Sequence, residues 1–159
     1  MSHKAVEAKT DLIQRLDVFV GVWRMEGTAF KSPFGPAGRV SAIETLEWLK
    51  GRQFLVHNFL GHLDKKDIAC IEIFGLNPSG EEYLVHSFYN DGNQRVWHLV
   101  EKGSHWILTG DWEVEDRSFD VRCTMTFIEP DFVEAKWEFS WGDAAWKLFW
   151  DTQRTRESR

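Results

Sequence analysis

The stretch that decides the fold is residues 104–141, SHWILTGDWEVEDRSFDVRCTMTFIEPDFVEAKWEFSW. Apolar and polar residues alternate along it in three runs, which are separated by residues 115–117 (EDR) and 129–131 (EPD). Alternation with a period of two puts successive side chains on opposite faces of a β-strand. Turn-forming residues between such runs are typical of hairpins. The stretch therefore predicts three consecutive antiparallel strands, each with one apolar face.

The alternation also assigns the faces of these three strands. The inward residues are predicted to be Trp106, Leu108, Gly110, Trp112 and Val114, then Phe119, Val121, Cys123, Met125 and Phe127, then Val133, Ala135, Trp137, Phe139 and Trp141. The opposite faces are mostly charged or hydroxyl-bearing, as a solvated face is. Both cysteines, Cys70 and Cys123, lie in apolar runs, so we expect small buried hydrophobic residues rather than a disulfide or a metal site.

The same pattern continues through the rest of the chain after Val20. Short β-rich runs alternate with turn residues, which is typical of a meander of consecutive hairpins. Ten strands are predicted, near residues 20–30, 39–48, 53–62, 67–76, 81–90, 94–101, 104–114, 118–129, 132–141 and 145–154. Up-and-down pairing with closure into a barrel would remove the exposed sheet edges.

A single helix is predicted before the strands. Leu12, Ile13, Leu16 and Phe19 recur at helical spacing, and Thr10 is the expected N-cap. We therefore expect a single all-β domain over residues 1–159. It would be a roughly ten-stranded antiparallel up-and-down β-barrel over residues 20–154, with a short N-terminal capping helix over residues 10–20.

Composition limits the classes of function. The 159 residues include 19 Lys and Arg against 25 Asp and Glu, for a net charge of −6, which argues against a nucleic-acid partner. No apolar run has the ~18 residues that a membrane span requires, and the first residues do not resemble a signal peptide. We expect a cytoplasmic protein that does not bind membranes. The oligomeric state is left open.

Nine Trp and twelve Phe are many for a chain of this length. Large rings fill wide spaces with few rotamers, so they are typical of the filled core of a large barrel and also of an aromatic ligand cavity. If a cavity exists, the expected ligand-binding residues are Trp48, Phe88, Trp106, Trp112, Trp137, Phe139 and Trp141. The expected ligand is a small apolar or aromatic molecule.

A few polar residues share strand parity with apolar neighbours. Glu44 falls on the face of Ala42 and Leu46, and His86 falls on the face of Leu84 and Phe88. His98 and His57 also lie between apolar residues, but the opposite faces of their strands are apolar too, so their orientation is left open. A carboxylate inside a barrel needs a partner, and a carboxylate beside an imidazole can perform general acid–base chemistry. If the protein is an enzyme, Glu44 and His86 are the predicted pair, with His98 and His57 as substitutes. The alternative is that Glu44 faces solvent and each histidine only satisfies a backbone carbonyl.

Other chemistries lack their sequence signatures. The sequence contains no Cys-x-x-Cys or His-x-x-x-His spacing, which would indicate a zinc site, and no Gly-x-Ser-x-Gly turn, which would offer a nucleophile. We therefore predict neither a metal nor a cofactor.

The beginning and end of the predicted barrel resemble the lipocalin and fatty-acid-binding superfamily, the calycins. Gly21-Val22-Trp23 opens the first strand directly after the helix, and Arg154 and Arg156 lie at the end of the last strand. The resemblance implies that Trp23 closes one barrel end and that a late arginine packs over it. We expect that arginine to be Arg154, with Arg156 as the alternative.

More specifically, the chain is similar over most of its length to a bacterial domain family of unknown function with a lipocalin-like barrel. The resembling stretches are residues 21–27 (GVWRMEG), 73–83 (IFGLNPSGEEY) and 146–154 (WKLFWDTQR). The family usually carries Gly-Tyr-Asp where this chain has residues 75–77 (GLN). The architecture also resembles the haem-binding nitrobindins, but their ligating histidine motif is not evident, so no haem is expected.

Three functions follow as hypotheses. The leading one is intracellular binding of a small apolar or aromatic molecule in the barrel interior. The alternative is a cofactor-independent lyase, isomerase or cyclase that uses the interior glutamate and histidine. The third is a structural or partner-binding barrel whose core is filled by its own rings.

Overall fold

The computed structural model describes residues 3–159, with side chains from Val6 onward. Helix α1 (His3–Arg15) leads into a 3₁₀ turn, Leu16–Phe19. The ten strands that follow are β1 (Gly21–Ala29), β2 (Gly38–Trp48), β3 (Leu55–Leu63), β4 (Lys66–Leu76), β5 (Tyr83–Tyr89), β6 (Gln94–Lys102), β7 (His105–Val114), β8 (Arg117–Glu129), β9 (Phe132–Ser140) and β10 (Lys147–Ser158).

The strands form a closed barrel. Each one pairs antiparallel with the next in the chain, and β1 pairs with β10 to close the circle. Closure leaves no sheet edge exposed. The predicted fold class is confirmed: this is a ten-stranded up-and-down antiparallel barrel behind one N-terminal helix.

The helix begins earlier than predicted. Thr10 lies inside α1, where its Oγ1 donates to the carbonyl of Val6 at 3.0 Å, so the expected N-cap is wrong. The reason is that residues 3–9 (HKAVEAK) are mostly strong helix formers and extend the helix upstream. The last strand is also longer than predicted, because β10 continues past residue 154 to Ser158.

The faces of β7, β8 and β9 follow the predicted alternation, with one exception. The buried residues are Trp106, Leu108, Phe119, Val121, Cys123, Met125, Val133 and Ala135. Trp112, Trp137 and Phe139 are half-buried on the same inner face. The assignment of Trp141 is wrong, since β9 ends at Ser140 and the Trp141 side chain is 57% exposed. Ser140 Oγ donates to the carbonyl of Ala144 at 2.6 Å, which turns the chain out of the sheet.

Arg156 fixes the helix end of the barrel. Its guanidinium lies 4.2 Å over the Trp23 ring and donates to the carbonyls of Val18, at 2.8 Å, and Val20. Its Nε also donates to Asp131 at 2.8 Å. One side chain therefore ties the 3₁₀ turn and the chain after it to the barrel wall, while covering the indole face.

The predicted contact between Trp23 and Arg154 is wrong, and the alternative partner Arg156 makes it. The register of β1 against β10 places Arg156 directly opposite Trp23 and Arg154 opposite Met25. Because β10 is longer than the sequence suggests, the residue expected at the rim lies one step deeper, inside the barrel.

We predict that Arg156→Ala lowers the free energy of unfolding by about 2–4 kcal/mol, since it removes the charged donor from the carbonyls of Val18 and Val20 and uncovers the Trp23 ring. The matched control is Arg24→Ala, because Arg24 is exposed and pairs with Glu157 at 2.5 Å. Surface ion pairs contribute about 0–1 kcal/mol. Urea denaturation of both variants measures the difference. Equal losses would contradict the role given to Arg156.

Candidate functional site

Four charged side chains meet inside the barrel, and we call them the polar cluster. They are Glu44 on β2, His57 on β3, Glu72 on β4 and Arg154 on β10. The first three strands are adjacent, and His57 lies directly opposite Glu72 in the register of β3 and β4. Glu44, His57 and Glu72 are buried, with Glu44 at 0% exposure.

His57 lies between the two carboxylates of the cluster. Its Nδ1 is 2.8 Å from Oε2 of Glu72, and its Nε2 is 3.5 Å from Oε2 of Glu44. Nε of Arg154 approaches the same Glu44 oxygen at 3.2 Å. The two contacts to Glu44 are electrostatic, because neither has the geometry of a hydrogen bond.

The Glu72 side of the cluster is fully held by neighbouring donors. Ser87 Oγ donates to Oε1 of Glu72 at 2.8 Å, and Trp97 Nε1 donates to Ser87 Oγ at 3.0 Å. Gly110 provides the space for this indole, since a Cβ there would lie 2.7 Å from the Trp97 ring. Glu72 is thus fixed by His57 and Ser87, whereas Glu44 has no such donors.

The pKa values in the cluster reflect burial opposed by charge. Burial alone would lower the pKa of His57, but the Glu44 and Glu72 carboxylates raise it to about 9. Burial acts to raise the pKa of Glu44, and the charges of Arg154 and His57 outweigh burial and lower it. The pKa of Glu72 is lowered as well, because hydrogen bonds from His57 and Ser87 outweigh its burial. At neutral pH the cluster therefore holds two cations and two anions.

A cavity of about 30 Å³ adjoins the polar cluster. Such a volume accommodates a small polar group or about two water molecules. Its remaining walls are apolar: Phe19, Trp23, Leu46, Phe74, Leu108, Met125, Val133 and Trp137. Within residues 6–159, both Glu44 oxygens, His57 Nε2 and Arg154 Nε are buried without a hydrogen-bond partner. Because such atoms are costly to bury, their convergence on one cavity makes this cavity the candidate functional site.

Glu44 lies inside the barrel, as its strand parity predicts. The imidazole that meets it is His57, which the sequence offers only as a substitute. The inward assignment of His86 is wrong, because its side chain is exposed on the outer face. His98, whose orientation the sequence leaves open, is also exposed on the outer face, so neither substitutes for His57. Whether Glu44 and His57 act in catalysis stays a prediction.

The inward residues of β5 and β6 explain this correction. In β5 the inner face carries Tyr83, Val85 and Ser87. The polar Ser87 is stable inside because its hydroxyl donates to Glu72 and accepts from Trp97. In β6 the inner face carries Trp97 and Leu99. The same parity places Phe88 outside, where it is 46% exposed, so its assignment to the ligand site is also wrong.

Two members of the polar cluster, Glu72 and Arg154, are not predicted from the sequence as interior residues. Glu72 lies in residues 68–74 (IACIEIF), which are apolar on both faces, so alternation gives no signal there. The parity that Glu72 shares with Cys70 and Phe74 is the one clue. The sequence predicts Arg154 at the barrel rim, and only the register of β10 against β1 shows that it lies inside, opposite Met25.

Most other predicted ligand residues pack in the core. Trp137 lines the cavity. Trp106 packs on Phe19 at 5.0 Å, and Trp112 and Phe139 belong to an aromatic cluster at the opposite end. Trp48 is half-buried at the edge of the core beside α1, where it borders a groove of about 420 Å³. Trp141 lines neither of these cavities.

Metal and membrane features are absent from the described part of the chain. Among its residues, no group of three histidine, cysteine, aspartate or glutamate side chains is arranged to hold a metal ion. No helix within residues 3–159 is long and apolar enough to cross a membrane. The two cysteines are free, with Cys123 buried and Cys70 half-buried.

A closed ten-stranded antiparallel barrel with a helix over one end and charged groups inside is a lipocalin-like barrel. The chain belongs to the family described as "Protein of unknown function (DUF1579)", which it matches over residues 10–156. This confirms the resemblance to a family of unknown function. No curated protein is significantly similar to the chain in sequence.

Solved structures of the same fold are distant in sequence. Rv2717c from M. tuberculosis is similar with a TM-score of 0.63 and 10% identity, over 91% of this chain and 96% of that one. The S-type phycobiliprotein lyase CPES from Guillardia theta is similar with a TM-score of 0.59 and 10% identity, over 100% and 99% of the two chains. At this identity the similarity establishes the fold alone.

We predict that His57 makes the stability of the protein depend on pH. Its pKa is about 9 in the folded protein and about 6.5 when unfolded, so its contribution is complete below pH 6.5 and is lost as the pH rises through 9. The loss is about 3 kcal/mol. His57→Gln should abolish this component, and His86→Gln, on the outer face, should retain it. Urea denaturation at pH 6 and pH 9.5 measures the difference.

Titration of the His57 ring by NMR in the unmodified protein gives an independent check. A ring pKa near 6.5 would contradict the prediction, even if His57→Gln failed to fold.

Proposed function

We propose that the barrel binds a small molecule with an apolar body and a neutral, hydrogen-bond-donating head group. The observation that carries this proposal is the Glu44 carboxylate, which is buried without a hydrogen-bond donor and faces a cavity whose other walls are mostly apolar. An acceptor at the end of an apolar cavity complements a hydroxyl or an N–H group on a ligand.

The contrast between the two carboxylates supports a ligand rather than a purely structural role. Glu72 receives donors from His57 and Ser87, as a buried structural carboxylate needs. Glu44, which is more deeply buried, lacks them. Because the cluster is already balanced in charge, a neutral head group preserves that balance and an ionised one would disturb it.

The apolar body requires the cavity to enlarge. Sites for drug-sized ligands usually have ~300–1,000 Å³, far more than the present volume. Met125 lines the cavity, and its unbranched thioether changes rotamer easily. Phe19 forms another wall from the 3₁₀ turn. A largely filled interior is also what a structural barrel would have, so the unpartnered Glu44 is the feature that favours binding.

The second candidate is a cofactor-independent enzyme with acid–base chemistry. The arrangement of His57 between two carboxylates favours it: Glu44 would take a proton from the substrate, while His57 and Arg154 stabilise the charge that develops. Returning the proton to another atom of the substrate would complete an isomerisation, and returning it to a leaving group that departs with its bonding electrons would complete an elimination. One solved barrel of this fold is described as a phycobiliprotein lyase, which supports a ligand-handling or lyase-like role.

We predict that phenol binds saturably at one interior site and that anisole, which cannot donate a hydrogen bond, binds at least about tenfold more weakly. Glu44→Gln should remove most of this preference. The matched control Glu47→Gln, an exposed residue on the same strand, should leave it unchanged. Calorimetry and quenching of Trp fluorescence measure the affinities. Absence of saturable binding of either compound would refute the binding function.

The enzyme candidate gives a different result once a substrate is found among the ligands. Glu44→Gln should then lower turnover by about 10²–10⁴-fold with little change in affinity. If the unmodified protein turns over none of its ligands, and Glu44→Gln lowers only the affinity for them, the enzyme candidate is refuted and the binding function remains.

A further inference from the structure

The connection between β1 and β2, residues 30–37 (FKSPFGPA), folds back over the barrel end opposite α1. It forms a compact turn of its own, in which Ser32 and Gly35 exchange backbone hydrogen bonds at 3.0 and 3.3 Å. The Phe34 amide donates to Ser32 Oγ at 3.2 Å. At its base, the Phe30 amide donates to the carbonyl of Phe149 at 2.8 Å.

Phe34 inserts into an aromatic box, which we define as Trp112, Phe119, Phe139 and Phe149. The ring centroids lie 4.5 Å from Trp112, 4.8 Å from Phe149, 5.4 Å from Phe139 and 5.5 Å from Phe119. Separations of 4.5–7 Å are those of favourable aromatic pairs. The chain's own side chain thus shows what the box accepts, namely one phenyl ring.

The Phe34 ring packs the tip of the connection onto the barrel. Within the described residues, the hydrogen bonds of the connection lie inside the turn or at its base. An added side chain at Gly35 would meet nothing within 4 Å, and Phe30 is 43% exposed. Withdrawal of Phe34 would therefore break no barrel hydrogen bond. The helix end differs, because Arg156 ties it down with several hydrogen bonds.

An arginine with spare hydrogen-bonding capacity stands beside the box. Arg95 shares the inner face of β6 with Trp97, and its guanidinium lies 3.9 Å over Trp112 and 4.9 Å over Tyr89. The pKa of Asp91 on the adjoining turn is lowered, mainly by the backbone hydrogen bond from Asn93 and to a smaller extent by the charge of Arg95. Among residues 6–159, however, no carboxylate forms an ion pair with Arg95. A guanidinium next to an aromatic site is a suitable partner for a carboxylate.

We propose that the aromatic box is a second ligand site, for an aryl compound with an anionic substituent. The ligand ring takes the place of Phe34, and the anion pairs with Arg95. This site is separate from the cavity at Glu44, because the Trp137 ring lies between them. One side of Trp137 lines the cavity, and its ring centroid lies 6.3 Å from that of Phe149 in the box. The two sites differ in chemistry, since the box has an unpaired cation and the polar cluster is balanced in charge.

The test uses 3-phenylpropionate and its neutral isostere 3-phenylpropanamide, which carry the same ring as Phe34. If Phe34 fills the box more than nine-tenths of the time, Phe34→Ala should strengthen binding of both at least about tenfold. Phe30→Ala, in the same connection but exposed, should bind like the unmodified protein. Quenching of Trp fluorescence and calorimetry give the affinities. Equal affinities for Phe34→Ala and Phe30→Ala would overturn the proposal.

The anion preference is tested in the Phe34→Ala background. There the carboxylate should bind about tenfold more tightly than the amide, and Arg95→Gln should abolish this difference without weakening the amide. A preference that survives Arg95→Gln would overturn the assignment of Arg95. Glu44→Gln should leave the affinity of the carboxylate unchanged. The amide also suits the interior site, so its affinity for the box is the one that persists in Glu44→Gln, and failure of the interior site is thereby distinguishable from failure of this one. If Phe34→Ala is less stable, 3-phenylpropionate should raise its melting temperature, and no rise would count against the site.

Discussion

The pairing of β1 with β10 is the constraint on which the rest of this structure depends. One register places Arg156 opposite Trp23 at the rim and Arg154 opposite Met25 inside. Because side chains alternate along a strand, a slip of one residue would turn both arginines to the outer face. The barrel end would lose its clamp, and the carboxylates inside would lose one of their two cations. Closure, capping and the electrostatics of the interior are thus set by a single strand pair.

The interior charges are tolerable only as a set. A lone ionised carboxylate inside a barrel is strongly destabilising, so Glu44 and Glu72 require the charges of His57 and Arg154. The set is nevertheless asymmetric. Glu72 is locked by hydrogen bonds, whereas Glu44 is balanced in charge but lacks donors. The structural role and the proposed binding role thereby fall to different carboxylates, and the one without donors faces the cavity.

The two ends of the barrel differ in the same way. The helix end is closed by directional, charged contacts from Arg156, which resist small displacements. The opposite end is covered by the packing of one phenyl ring, that of Phe34, against other rings. In our proposal the barrel keeps its shape at the helix end and exchanges this ring for that of a ligand at the other. This difference is why the proposed second site lies at the Phe34 end.

The sequence by itself determined the fold class and the inner faces of β7 to β9, because period-two alternation directly records one-sided burial. The parity of β2 also favoured an inward Glu44 but left a solvent-facing Glu44 open, and the structure places it inside. The sequence could not place Glu72, since β4 is apolar on both faces, nor His86, since the inner face of β5 includes a serine whose hydroxyl is needed by Glu72. Only the tertiary structure decided which imidazole meets Glu44 and which arginine lies inside. Those choices depend on the register between strands and on the pairing of the first strand with the last, which local periodicity does not encode.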